Sequence, residues 1–324
     1  MNVRELARTA GLSHMTVSRA LNGSPHVAPA TRERVLALAS EYGYAIHGPA
    51  RGLATGTTGT VGILYPYHSL RQLESSHTRQ LMHDVRLALE QGGTDAIIAG
   101  YDTASRGDED VARLCAQRKV DAVVVIGYDV SHEALNALGR RGYRYLCVNP
   151  PQEPWITEHP SVVVDQELGG ALAARELRDS GVQRVAVVHE DVAQFHHRVR
   201  GFERAWGSPV PSLILPDGAY ETAVSFAEHH LSRLSDYEGL YVGSDVSAIG
   251  IMNALQSAGR AVPGDIRIVG FDDIESARYC RPSLTTVHQP RQRVAEAVRA
   301  WVAAPDSETR FRFDPRLVRR ESSR

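Results

Sequence analysis

Apolar residues between Val3 and Tyr42 recur at every third or fourth position, the period of helices buried along one stripe, whereas from Thr60 onward they come in short unbroken runs. The first region therefore predicts helices. Val3, Leu6, Ala7 and Ala10 line one side of a helix from Val3 to Ala10, with Asn2 suited to its N-cap and Gly11 to its end. Ser13 can cap a second helix, His14 to Leu21, whose Val17, Ala20 and Leu21 face inward while Met15, Ser18 and Arg19 point away. A third, Pro29 to Tyr42, carries Val35, Leu36, Leu38 and Ala39 as its core stripe and has proline at its first position. Two short helices joined by a glycine-containing turn form a helix-turn-helix, which lays the start of its second helix in the major groove of DNA. There Arg19 can pair with guanine O6 and N7, a contact that discriminates by about 1–3 kcal/mol.

The second region alternates β-branched runs with amphipathic stretches. VGILY (61–65), DAIIAG (95–100), DAVVVIG (121–127) and YRYLCVN (143–149) form one set. SVVVD (161–165), RVAVVH (184–189), SLILP (212–216), GLYVGSD (239–245) and IRIVGFDD (266–273) form another. Apolar strands with helical crossovers mean parallel sheets covered on both faces, and two sets mean two α/β lobes. The proline-rich NPPQEP (149–154) is the natural crossing between them. The chain thus divides into a helix-turn-helix domain over 1–46, a linker over 47–59 and a larger domain over 60–324. The linker, HGPARGLATGTTG, has room for a helical turn or two between glycine-rich flanks. A helix so short is marginal in water and Gly52 weakens it further, so it needs an external partner to order it.

Charge sharpens this division. Residues 1–60 hold six arginines and three glutamates, net +3, so the remainder carries −5 behind an overall −2. Only the front end favours phosphate, and +3 per headpiece is modest enough to call for two headpieces acting together. Cys115, Cys147 and Cys280 are odd in number and widely spaced, which supports neither a disulfide framework nor a structural zinc site. No apolar leader is seen at the N-terminus and no run is long enough to span a bilayer, so the expected location is the cytoplasm, with the nucleoid.

The block AGLSHMTVSRALNG (10–23), followed by Val27, TRERV (31–35) and the pair Gly43 and Tyr44, resembles the lactose-repressor/galactose-repressor (LacI/GalR) family of bacterial transcription regulators. The resemblance runs to the last ten residues, PRLVRRESSR, and implies a periplasmic-binding-protein-like fold for the two lobes. It implies that the first lobe takes 60–160 and 289–312, and the second 161–287 and 313–324. It implies base-reading roles for His14, Met15 and Arg19, and phosphate contacts for Thr16, Ser18 and Asn22. Met15 cannot make the paired bonds of an amide to adenine, so its expected contact is a thymine methyl. In the family two linker helices pair in the minor groove and a leucine wedges between base pairs, which implies that role for Leu53. Pro49 and Gly52 depart from the usual more polar, alanine-rich linker.

In open parallel sheets ligands bind beyond the carboxyl ends of the strands, where Tyr67, Asn149, Ser244, Asp245 and Asp272 stand. Asp245 reads as the cap of the next helix. The resemblance implies that Arg198 of RVRGF (198–202) bonds the hydroxyls of a sugar effector and that Asp272 of GFDD (270–273) binds the same ligand. It also implies an aromatic stacking role for Tyr220 and polar contacts for Asn149 and Ser244, the last in place of a more usual asparagine. His196 and His197 have no third ligand at a useful spacing, so no metal or cofactor is expected. No nucleophile elbow, P-loop or paired-carboxylate signature supports catalysis.

The expectation is a homodimeric repressor on a pseudo-palindromic operator, switched when a small ligand shifts the lobes. The competing readings are a solute receptor for sugar transport, an enzyme on the same lobes, and a regulator that uses a nucleobase co-repressor. The headpiece and the absent leader weigh against the receptor, and turnover of a candidate sugar would reveal the enzyme.

Overall fold

The computed structural model describes residues 2–21, 24, 26–44, 57–66, 76–102, 109–128, 130–304 and 309–324. Asn22, Leu53 and Tyr67 lie outside the described residues, as does the linker helix expected over 49–54. The chain forms two compact units, one of residues 1–60 with 114–121 and one of residues 61–113 with 122–324.

In the first unit α1 (Val3–Ala10) opens on a reciprocal cap. Asn2 Oδ1 accepts from the amides of Arg4 and Glu5 at 3.0 Å each, while the Glu5 carboxylate accepts from the Asn2 amide at 2.8 Å. Gly11 ends α1 at φ +65°, a left-handed conformation that glycine adopts without strain. Ser13 Oγ accepts from the Thr16 amide at 3.0 Å and so starts α2 (His14–Leu21). Helix α3 (Pro29–Glu41) closes a core of Leu6, Ala7, Ala10, Val17, Ala20, Val27, Val35 and Ala39. Leu36, expected in that core, is 45% exposed. It lies about 100° around the helix from Val35, beyond the edge of the stripe that Val35, Leu38 and Ala39 form.

The second unit holds two six-stranded sheets. In the first, β1 (Thr60–Pro66), β2 (Asp95–Tyr101), β3 (Ala122–Ile126), β4 (Arg144–Val148) and β5 (Ser161–Val164) are arranged in the order β5-β4-β3-β1-β2. The second has β6 (Val185–Glu190), β7 (Ser212–Leu215), β8 (Gly239–Val242), β9 (Arg267–Asp272) and β10 (Thr285–His288) in the order β10-β9-β8-β6-β7. β11 (Arg310–Phe313) then adds to β5 in parallel, and β12 (Arg316–Val318) to β10 in antiparallel.

Two expectations need correction. The apolar pattern groups SVVVD with the second lobe, but β5 pairs with β4 and β11 in the first sheet. The Cys147 and Asn149 amides donate to the Pro160 and Val162 carbonyls at 2.9 Å, so NPPQEP returns the chain to its own sheet. The lobes divide after Val164 instead, where the Asp165 carboxylate caps the helix Gln166–Asp179 through the Leu168 amide at 2.9 Å. The chain crosses back after His288, into the helix Arg291–Ala303 that packs on the first core, and crosses again after Phe313. DAIIAG is not a buried strand either. It forms the edge strand β2, where Ile97 and Ile98 are 37% and 45% exposed.

Glycines set the spacing of the helices that carry the cleft. A Cβ on Gly170 of the helix Gln166–Asp179 would come within 1.9 Å of the Arg198 carbonyl oxygen. One on Gly201 of the helix Ala193–Trp206 would come equally close, 1.9 Å, to that of Glu167. Only bare backbones allow these two helices to touch, and that contact fixes the height of Arg198 above the second sheet.

Candidate functional site

At the carboxyl ends of the strands the backbone turns through conformations rare for side-chain-bearing residues: Asn149 at φ 49°, Asp272 at φ 116° and Asp273 at φ 54°. Arg198 is buried. Its Nε donates to Gln166 Oε1 at 2.7 Å, its Nη1 donates to the Gly243 carbonyl, and its guanidinium lies 3.6 Å over the Phe271 ring and 4.8 Å from that of Phe195. Held this way the cation is buried and fixed in orientation.

Asp272 is the anionic counterpart. Its Oδ1 accepts from Gln289 Nε2 at 2.8 Å and lies 3.9 Å from His77 Nδ1. Burial pushes the Asp272 carboxyl up to about 6, although Arg198 and the Gln289 hydrogen bond favour its charged form. His77 starts the helix Ser76–Gln91, and burial followed by the field of Arg291 and Arg198 holds its ring well below the usual histidine range. Both His77 ring nitrogens, Asn149 Oδ1 and Gln289 Oε1 are buried without hydrogen-bond partners among the described residues. A buried polar group left unpaired costs about 1–3 kcal/mol, so the unpaired atoms of His77 and Gln289 on either side of Asp272 read as a place where a hydrogen-bonding ligand belongs.

The structure corrects one role at β8. Ser244, not Asp245, caps the helix Asp245–Ser257, its Oγ accepting from the Ser247 amide at 3.3 Å and bonding the Ser247 hydroxyl at 3.0 Å. Asp245 is wholly buried, accepting from the Thr286 hydroxyl and, at 3.0 Å, from the Ile274 amide. A Cβ on Gly270 would sit 2.2 Å from Asp245 Oδ1, which is why GFDD needs its glycine. Tyr220 is exposed and its hydroxyl accepts from Asn253 Nδ2 at 2.8 Å, a contact within the second lobe. Asp273 is structural: although burial raises it, hydrogen bonds from His288 and Arg320 hold its carboxyl well below the usual range.

His77, Gln166 and Gln289 escaped the sequence reading. Gln289 stands just past β10, where the strand-end rule would have found it had the short run TTVH been read as a strand. His77 has no comparable signal. His196 bonds Asp191 at 2.8 Å and His197 faces Glu167 at 3.8 Å, and the described residues contain no cluster able to hold a metal ion.

On the headpiece, His14, Met15 and Arg19 project from α2 into solvent, with Met15 61% exposed, while Thr16 and Ser18 are half-buried.

The family description "Bacterial regulatory proteins, lacI family" matches residues 2–46, and "Periplasmic binding protein-like domain" matches residues 161–323. A repressor from Vibrio vulnificus, the HTH-type transcriptional repressor PurR, is 30% identical over 301 residues, covering 91% of this chain and 88% of its own length. The chain belongs to the LacI family. It is a DNA-binding transcriptional repressor with a ligand-binding domain, not an enzyme. PurR of Photobacterium profundum is 28% identical over 335 residues, covering 99% of this chain and 98% of its own. The lac repressor dimer bound to operator and the anti-inducer ONPF has the same fold, with a TM-score of 0.84 at 21% identity over 100% of this chain and 99% of that one. The CelR–cellobiose complex aligns with a TM-score of 0.71 at 24% identity over 99% of both chains. Among the described residues no helix is long and apolar enough to cross a membrane.

Proposed function

We propose that this LacI-family repressor binds a pseudo-palindromic operator as a homodimer in the cytoplasm, and that a sugar bound between its lobes sets its affinity for that DNA. The observation that carries the effector reading is the buried Asp272 carboxyl, which holds Gln289 at 2.8 Å and faces His77 at 3.9 Å while Gln289 Oε1 and both His77 ring nitrogens have no partner among the described residues. A sugar hydroxyl both donates and accepts, so it can bridge the Asp272 carboxylate and the His77 ring across their 3.9 Å gap. The fold shared with the CelR–cellobiose complex supports the same class.

On the DNA side Arg19 pairs with guanine, Met15 meets a thymine methyl, His14 reads a base edge, and Thr16, Ser18 and Asn22 hold phosphates. Leu53 wedges into the minor groove.

A nucleobase effector is the second reading, favoured by the unpaired amide oxygens of Asn149 and Gln289, which suit ring N–H donors as well as hydroxyls. A thermal-shift screen of sugars and nucleobases separates the two, since a ligand at 100 times its Kd stabilises by roughly 2.7 kcal/mol. The hit must then change operator affinity in a footprinting titration. A sugar that binds without altering the footprint would refute the regulatory role.

A further inference from the structure

We infer that Asp121 is a positioning residue for specific DNA binding, because its carboxylate grips the chain where it emerges from the linker. This rests on the DNA-binding reading above. One carboxylate oxygen accepts from the Thr58 amide at 2.6 Å and the other from the Gly59 amide at 2.7 Å. The Asp121 amide in turn donates to the Thr60 carbonyl at 2.9 Å, and the Thr60 amide donates to Thr58 Oγ1 at 3.2 Å. Val61 and Ala122 then begin the β1–β3 ladder. Asp121 therefore extends that ladder backwards with a side chain, using both carboxylate oxygens on two successive amides. Gly59 makes this bend possible at φ +68°, with nothing within 4 Å of where a Cβ would lie.

The consequence concerns direction. Residues 45–56 join this point to the headpiece, and the two hydrogen bonds fix the backbone at Thr58 and Gly59, the last two residues of the linker. A specific complex needs two headpieces at a defined separation, whereas non-specific phosphate binding tolerates any heading. A fixed exit angle lowers the cost of the specific geometry alone. Asparagine supplies one acceptor in place of two, and alanine none.

The test uses the full-length protein, with Asp121→Ala, Asp121→Asn and, independently, Gly59→Ala. The probes are a duplex enriched by the wild type from a random-sequence library and a scrambled duplex of equal length. Amide hydrogen exchange at 58–60 reports whether the grip is lost. In Asp121→Ala those amides are expected to exchange faster and the Kd for the enriched duplex to rise by about tenfold, within the range usual for coupled sites, while the scrambled duplex changes by less than about twofold. Asp121→Asn should fall between, and Gly59→Ala should mimic the loss. Faster exchange with unchanged discrimination would overturn the inference, and so would equal weakening on both duplexes, which marks a general folding defect. If the wild type enriches no sequence, the DNA-binding reading fails first, whatever Asp121 does.

Discussion

His77 Nδ1 stands 3.9 Å from Asp272 Oδ1, joining the helix that covers the first sheet to the carboxyl end of β9 in the second. The gap is too long for a hydrogen bond and it lies where both lobes expose unpaired polar atoms.

That pair makes effector binding depend on pH. Burial raises the Asp272 carboxyl to about 6, so the group takes up a proton on folding between the ordinary carboxylate range and pH 6. Its contribution to stability is present in full below that range and is lost as pH rises through about 6. A hydroxyl ligand donates to the carboxylate and prefers the charged form. Binding should release a proton below about pH 6, with affinity rising from pH 5 and levelling above pH 7. Calorimetry of the sugar hit in buffers of different ionisation enthalpy measures the release, and Asp272→Asn should abolish it. An affinity that falls over this range would contradict the assignment.

Gly201→Ala should be among the most damaging single-methyl changes in the chain. Its Cβ would lie 1.9 Å from the Glu167 carbonyl oxygen, so two helix backbones must part. We expect a loss of about 3 kcal/mol or more, at or above the usual overpacking range. At Gly250 the nearest atom would be 2.8 Å away, and alanine there should cost less. Thermal denaturation of both variants ranks them, and the opposite order would be decisive against this packing.

Asp245 should behave as a structural acid. Burial, followed by the charge of Asp272, raises its carboxyl well above the usual range, while its oxygens accept from Thr286 and the Ile274 amide. Asp245→Asn keeps the shape and one acceptor and should cost about 1 kcal/mol, whereas Asp245→Ala leaves the Ile274 amide unpaired and should cost about 3. Urea denaturation checks the pair. Equal losses would mean that the hydrogen bonds contribute nothing.

Met15, exposed on the reading helix, should be sensitive to a single methyl group on the DNA. Replacing thymine by deoxyuridine at one operator position should weaken binding by about 1 kcal/mol in the wild type and leave Met15→Ala indifferent. Fluorescence anisotropy over a set of such substituted duplexes tests it. If no thymine matters more to the wild type than to the variant, Met15 reads nothing.

Much of the cleft was legible because a parallel strand ends where its apolar run ends, and Asn149 and Asp272 stand at such ends. Arg198 came from a motif. Ser244 and Asp245 exchanged the expected capping role because adjacent residues at a helix start compete for the same amides, and only geometry decides which side chain turns back. His77 was invisible: a histidine at the start of a helix looks the same whether it meets solvent or the opposite lobe.

Local pattern alone determined the helices of the headpiece, with their caps, and most strands of the lobes, since capping and burial periodicity act over a few neighbouring residues. Tertiary structure decided that Ser161–Val164 belongs to the first sheet and that β10, β11 and β12 complete the two sheets. It also brought His77 to Asp272 across 195 positions of chain. A run of valines carries no mark of the neighbour it will pair with. Pairing is settled by hydrogen bonds between segments far apart in the chain, and these form only once the lobes close on their cores.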